Sequence, residues 1–146
     1  MRLNWCDEED RPGQFALWNA NCRRSLRGKA GQRELRELET ALLALPEKRL
    51  IHGALQDDDG GVCAIACYAK HKGVDLSRFD AEVESDKVGI AAGMPRLVAW
   101  KVVALNDIDC GDMWGSGSGN MTPEKRYEKV LAWVRIQLRP AGAETP

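Results

Sequence analysis

No apolar run in the chain approaches the roughly 20 residues that a membrane-crossing helix needs. The opening residues, MRLNWCDEEDRPG, are acidic and hold no apolar centre of the kind a secretory leader carries. The expectation is a cytoplasmic protein. A charge excess of either sign is also missing: 21 Lys and Arg face 22 Asp and Glu, for a net charge of −1. That excludes a global pull toward nucleic acid or an acidic membrane and confines any anion binding to a local patch. Histidine is scarce, with His52 and His71 alone, so general-base chemistry has few candidates. A CxxC pair is absent. Cys6, Cys22, Cys63, Cys67 and Cys110 form an odd, irregular set that reads as free thiols in a reducing compartment.

What is present suits one domain. The chain has 146 residues, 44% of them hydrophobic, enough for a single core. Residues 1–12 read as a flexible N-terminus, 13–139 as a single compact helical domain and 140–146 as a disordered tail. Trp18, Cys22 and Leu26 recur at helical spacing, so 14–26 reads as a helix. The stretch from Arg27 to Gln32 reads as a loop. Leu35, Leu38, Leu42 and Leu45 mark a stronger helix ended by Pro46, with Arg33, Glu34, Arg36, Glu37 and Glu39 as its solvated face. Residues 49–62 contain a short extended segment and a turn, at most a small β-hairpin. Val62 to Lys72 is a small-residue helix stopped by Gly73. Residues 80–92 are weakly helical. Leu97 to Leu105 is apolar almost all round and reads as a buried helix opened by Pro95. Thr122-Pro123-Glu124 is the clearest helix start, and Tyr127, Val130, Leu131, Val134 and Leu138 give its apolar stripe. The expected fold class is mainly α, with about five helices.

The most distinctive stretch is basic. Arg23, Arg24, Arg27, Lys29 and Arg33 fall within eleven residues that contain no acid. Gly28 and Gly31 would let the backbone turn and expose N–H groups, beside the positive end of the following helix. Arg23, Arg27, Gly28, Lys29, Gly31, Gln32 and Arg33 are therefore the candidate site for a phosphate or carboxylate. The spacing is not that of a P-loop. A solvated basic loop with a glycine hinge explains the same residues without any ligand.

The run from Leu26 to Leu38, with its Arg27-Gly28-Lys29-Ala30-Gly31-Gln32 core, is followed by Pro46-Glu47-Lys48-Arg49-Leu50-Ile51. Gly61-Val62-Cys63-Ala64, Asn106-Asp107, Thr122-Pro123-Glu124 and Trp133-Val134 come after it. In this pattern the chain resembles a group of small bacteriophage and prophage proteins without an assigned activity, over most of residues 18–138. It departs from them at Ala64-Ile65-Ala66-Cys67 and in the loop 115–119. The resemblance implies a phage origin and a host bacterial cytoplasm. It implies no reaction.

Other constellations are weaker. Cys63, Cys67 and His71 share a helix face, but positions eight apart lie about 12 Å from each other by helix rise, too far for one ion. Buried structural thiols are the better reading, and neither metal nor cofactor is expected. Cys63 at a helix start would have a lowered pKa, yet only His52 is placed to serve as its base. Asp107, Asp109 and Asp112 miss the calcium-loop pattern, with Asp112 and Ser118 where glycine and glutamate belong. Residues 65–86 resemble a helix-turn-helix, but the reading helix, Ser77 to Asp86, would carry Asp80, Glu82, Glu84 and Asp86 toward phosphates. Trp18 and Trp100 fit core positions, whereas Trp114 in its Gly-rich loop is a candidate partner contact.

The sequence thus points to a non-enzymatic accessory protein that binds through the basic stretch, with counter-defence as the role. Its partner would be an anionic small ligand or the acidic surface of a host protein, and self-association is left open. A helical DNA-binding regulator is the alternative. No catalytic residue is assigned, because base, nucleophile and oxyanion donors do not assemble.

Overall fold

A computed structural model describes residues 14–79, 85–107 and 121–140. Six α-helices follow one another: α1 (Gln14–Arg27), α2 (Lys29–Ala44), α3 (Ala64–His71), α4 (Ser85–Ala91), α5 (Arg96–Asp107) and α6 (Pro123–Gln137). One turn of 3-10 helix, Leu76–Arg78, lies between α3 and α4. Among the described residues there is no strand, and no helix is long and apolar enough to cross a membrane. The fold is mainly α and forms one compact domain, with six helices where about five were expected, and α4 falls within the weakly helical stretch 80–92. The stretch 1–12, expected to be flexible, and all but Pro140 of the tail 140–146, expected to be disordered, lie outside the described residues.

The leucine stripe of α2 builds the centre, where Leu35, Leu38 and Leu42 are wholly buried. α3 passes through the core with its residues from Ala64 to Ala69 all buried. Its small side chains let α2, α4 and α5 approach closely. Gly89 of α4 serves the same approach. A Cβ there would come within 2.6 Å of Ile65 Cδ1 and 3.1 Å of Ala99 Cβ. Leu97 to Leu105 is indeed helical, within α5.

Helix α6 begins as its sequence dictates. The Thr122 hydroxyl accepts the Lys125 N–H at 3.1 Å, and Pro123 occupies the first turn, where no N–H is needed. Val130 and Val134 are fully buried. α6 runs antiparallel to α2. At one end the Gln32 side chain donates to the Gln137 carbonyl at 2.9 Å. At the other the Tyr127 hydroxyl donates to the Leu42 carbonyl at 2.9 Å.

Residues 51–62 form a tight turn rather than a true hairpin. A single antiparallel bridge joins Gln56 to Val62. The Asp57 carboxylate accepts the N–H groups of Asp59 and Gly61 at 3.0 and 2.6 Å, and Gly60 takes a φ of +85° that favours glycine.

The buried polar residue Asn106 ties this turn to three helices. Its Oδ1 accepts the Ala64 N–H at the start of α3, at 3.0 Å. Its Nδ2 donates to the Ile51 carbonyl at 3.0 Å, and its own carbonyl accepts from Arg126 of α6 at 2.6 Å. Asn106 is therefore a structural junction near the end of α5. Asp109 and Asp112, weighed above as calcium ligands, lie outside the described residues.

Candidate functional site

The basic stretch folds differently from the loop its glycines suggest. Only Gly28 is non-helical between α1 and α2. Its φ of −69° is ordinary, and neither Gly28 nor Gly31 takes the positive φ that would curl successive N–H groups into an anion nest. Gly31 is buried where the two helices meet, and a Cβ on it would fall 2.1 Å from the Ser25 carbonyl oxygen. Gln32 is fully buried. It donates to the carbonyls of Leu26 and Gln137 at 2.8 and 2.9 Å and accepts the Arg139 N–H at 2.8 Å. Gly31 and Gln32 thus fasten α1, α2 and the end of α6 together.

Arg33 is also occupied. Its Nε donates to Glu34 Oε2 at 2.8 Å although most of its side chain is exposed. Four cations remain. Arg23, Arg24, Arg27 and Lys29 are all exposed, and none of them is ion-paired with a described residue. They form a ridge over the corner between α1 and α2. Arg24 and Arg27 occupy the last turn of α1, where they also offset the negative end of its dipole. No acid stands in the first turn of α2. The ridge is an exposed display of positive charge.

Beside the ridge lies a buried polar cluster that the sequence reading placed in solvent. Glu34 is 2% exposed. It accepts from the Tyr68 hydroxyl at 2.6 Å, from Lys72 Nζ at 2.9 Å and from Arg33. Burial alone would raise its pKa, but the three donors outweigh it and hold the carboxyl at about 2. Burial, with the Glu34 contact, pushes the Tyr68 hydroxyl upward. The cluster is a set of charge-assisted hydrogen bonds linking α2 to α3. The signal was available: Glu34 stands four residues before Leu38, on the stripe that packs inward. Arg126, buried four residues before Val130, carries the same signal.

The three described thiols, Cys22, Cys63 and Cys67, are buried. Burial pushes Cys63 and Cys67 up to about 12 and raises Cys22. Cys63 does cap α3, so desolvation overrides the favourable helix end. His71 Nε2 lies 2.9 Å from Glu37 Oε2 on the exterior, and His52 is exposed in the turn. Of the second helix in the helix-turn-helix reading of 65–86, Ser77 and Arg78 belong to a single 3-10 turn, Phe79 is extended, and Ser85 and Asp86 lie in α4. Residues 80–84 lie outside the described residues, as do Trp114, Cys6 and Cys110. Trp18 and Trp100 meet edge to face with centroids 4.9 Å apart, and Lys101 Nζ lies 5.6 Å from the Trp18 ring centre.

No protein-family model, no curated protein and no solved structure matches the chain.

Proposed function

We propose that the chain is a non-enzymatic accessory protein that acts by binding an acidic macromolecular surface through Arg23, Arg24, Arg27 and Lys29. The observation that carries this reading is the four exposed cations on one corner without an ion-pair partner among the described residues. Charges so arranged speed encounter with an acidic partner and fix its orientation. A nucleotide pocket is less well supported, since Gly31, Gln32 and Arg33 are committed to internal contacts. If the chain has the phage origin its sequence pattern suggests, the partner would be a host protein in the host cytoplasm, and occupying it would be the counter-defence role.

Poly-glutamate and a panel of nucleotides, titrated calorimetrically, test this reading. The wild type should bind poly-glutamate at low salt. Arg24→Ala with Arg27→Ala and Lys29→Ala should weaken it by about tenfold or more, because every 1.4 kcal/mol is a factor of ten. The melting temperature should stay nearly unchanged, since all three side chains are exposed. Equal binding by the variant, or tight binding of a nucleotide alone, would contradict the reading.

A further inference from the structure

The ridge has a counterpart at the other end of the bundle. Gln32, near the start of α2, meets Gln137 and Arg139 at the end of α6. Leu42, near the end of α2, meets Tyr127 early in α6, and the Leu50 N–H donates to the Pro123 carbonyl. The basic corner therefore lies at one end of the α2–α6 pair, and the turn of residues 51–62 leaves from the other. The tip of that turn is Asp57-Asp58-Asp59, all exposed, and none of the three is ion-paired with a described residue.

These two charges do not neutralise each other within one chain. The 16 residues of α2 stand between them. At a rise of about 1.5 Å per residue that is about 24 Å, some three screening lengths of about 8 Å at physiological salt. The acidic tip is also preshaped. Asp57 is held by its bonds to the N–H groups of Asp59 and Gly61, which fixes the backbone carrying Asp58 and Asp59. An ordered turn binds with less entropic cost than a loose one. Arginine side chains are suited to carboxylates through paired, charge-assisted hydrogen bonds.

We propose that the basic ridge of one chain receives the acidic turn of a second copy, head to tail. The inference rests on the reading of the ridge as a contact surface. Its geometry is heterologous: every copy uses its ridge once and its turn once, so assembly grows as an open chain or closes into a ring. The contact joins charges and buries little apolar surface, so salt controls it.

Sedimentation of the full chain in about 10 mM and about 1 M salt, where screening lengths are about 30 and 3 Å, tests the proposal. The wild type should show an average mass at or above that of a dimer in low salt, rising with concentration, and the 16.2 kDa monomer in high salt. Arg24→Glu with Arg27→Glu should be monomeric alone. So should Asp58→Lys with Asp59→Lys, which leaves Asp57 in its structural role. An equimolar mixture of the two variants should associate again, because reversing both partners restores complementarity. Charge reversal should weaken each homotypic contact by roughly a hundredfold or more. Circular dichroism checks the fold, and the neutral pairs Arg24→Gln with Arg27→Gln and Asp58→Asn with Asp59→Asn serve should a reversed pair unfold. A wild type that stays monomeric in low salt overturns the proposal. So does association that survives in either reversed variant, or a mixture that stays monomeric. Poly-glutamate binding separates this failure from failure of the ridge: the turn variant keeps that binding when the ridge is a contact surface, and the wild type lacks it when the ridge is not.

Discussion

Gln32 and Glu34 stand two residues apart beside a run of charged side chains, and both are buried. Each is tolerated inside because its hydrogen-bonding capacity is filled. For Glu34 this has a pH consequence. Its carboxyl titrates at about 2 in the fold, against an ordinary value of 4.5, so the unfolded chain takes up the proton more readily. The stability it contributes is fully present above about pH 4.5 and is lost as pH falls toward about 2, amounting to roughly 3 kcal/mol. Glu34→Gln should remove this acid dependence and lower stability near neutral pH by about 2 kcal/mol or more, because Tyr68, Lys72 and Arg33 lose a charged acceptor. Urea unfolding between pH 2 and pH 7 measures both, with the same acid slope in the variant as the contrary result. At this scale the sequence was legible in part. The leucines of α2 declared themselves by spacing, whereas Glu34 and Gln32 looked solvated because residue type alone does not reveal which partners the fold will bring to them.

Gly31 illustrates how an element can be read correctly and its boundary misread. Both helices flanking it were evident from periodicity, yet Gly28 and Gly31 together suggested a loop. A glycine looks the same in sequence whether it permits a turn or permits two backbones to touch. Here the second use holds for Gly31, and α2 begins at Lys29. Gly31→Ala weighs two opposed effects. Alanine favours a helix interior over glycine by about 1 kcal/mol. A Cβ only 2.1 Å from a backbone oxygen forces α1 and α2 apart, and overpacking of that kind costs about 1–3 kcal/mol or more. The clash should win, with a net loss of about 2 kcal/mol measurable by urea unfolding; a variant more stable than wild type would show that the corner yields easily. The start of α6 needed no such correction, since a hydroxyl cap and a first-turn proline are local devices that tertiary contacts rarely override. The turn at 51–62 was half legible: its aspartates and glycines announced a reversal, but its anchor, Asn106, is 42 residues from the Ala64 N–H that it caps.

The whole molecule has almost no net charge and yet an uneven distribution of it. Cations gather at the α1–α2 corner, and three aspartates project from the turn near the far end of α2. Composition conceals this, because a sum of charges carries no position. The candidate site was therefore legible as a basic stretch and illegible as a shape. Arg23, Arg24, Arg27 and Lys29 lie on the surface, Gly31 and Gln32 turn inward to hold the corner together, and Arg33 stays exposed while pairing with Glu34. The central claim is that this corner is where the protein meets an anionic partner. Its most direct measurement is the amide NMR spectrum of labelled protein titrated with poly-glutamate at low salt. Shifts should concentrate on Arg23, Arg24, Arg27 and Lys29, with Tyr68 and Asn106 unmoved. Shifts centred on Trp18 and Trp100 or on the turn at His52, with the corner silent, would contradict the account.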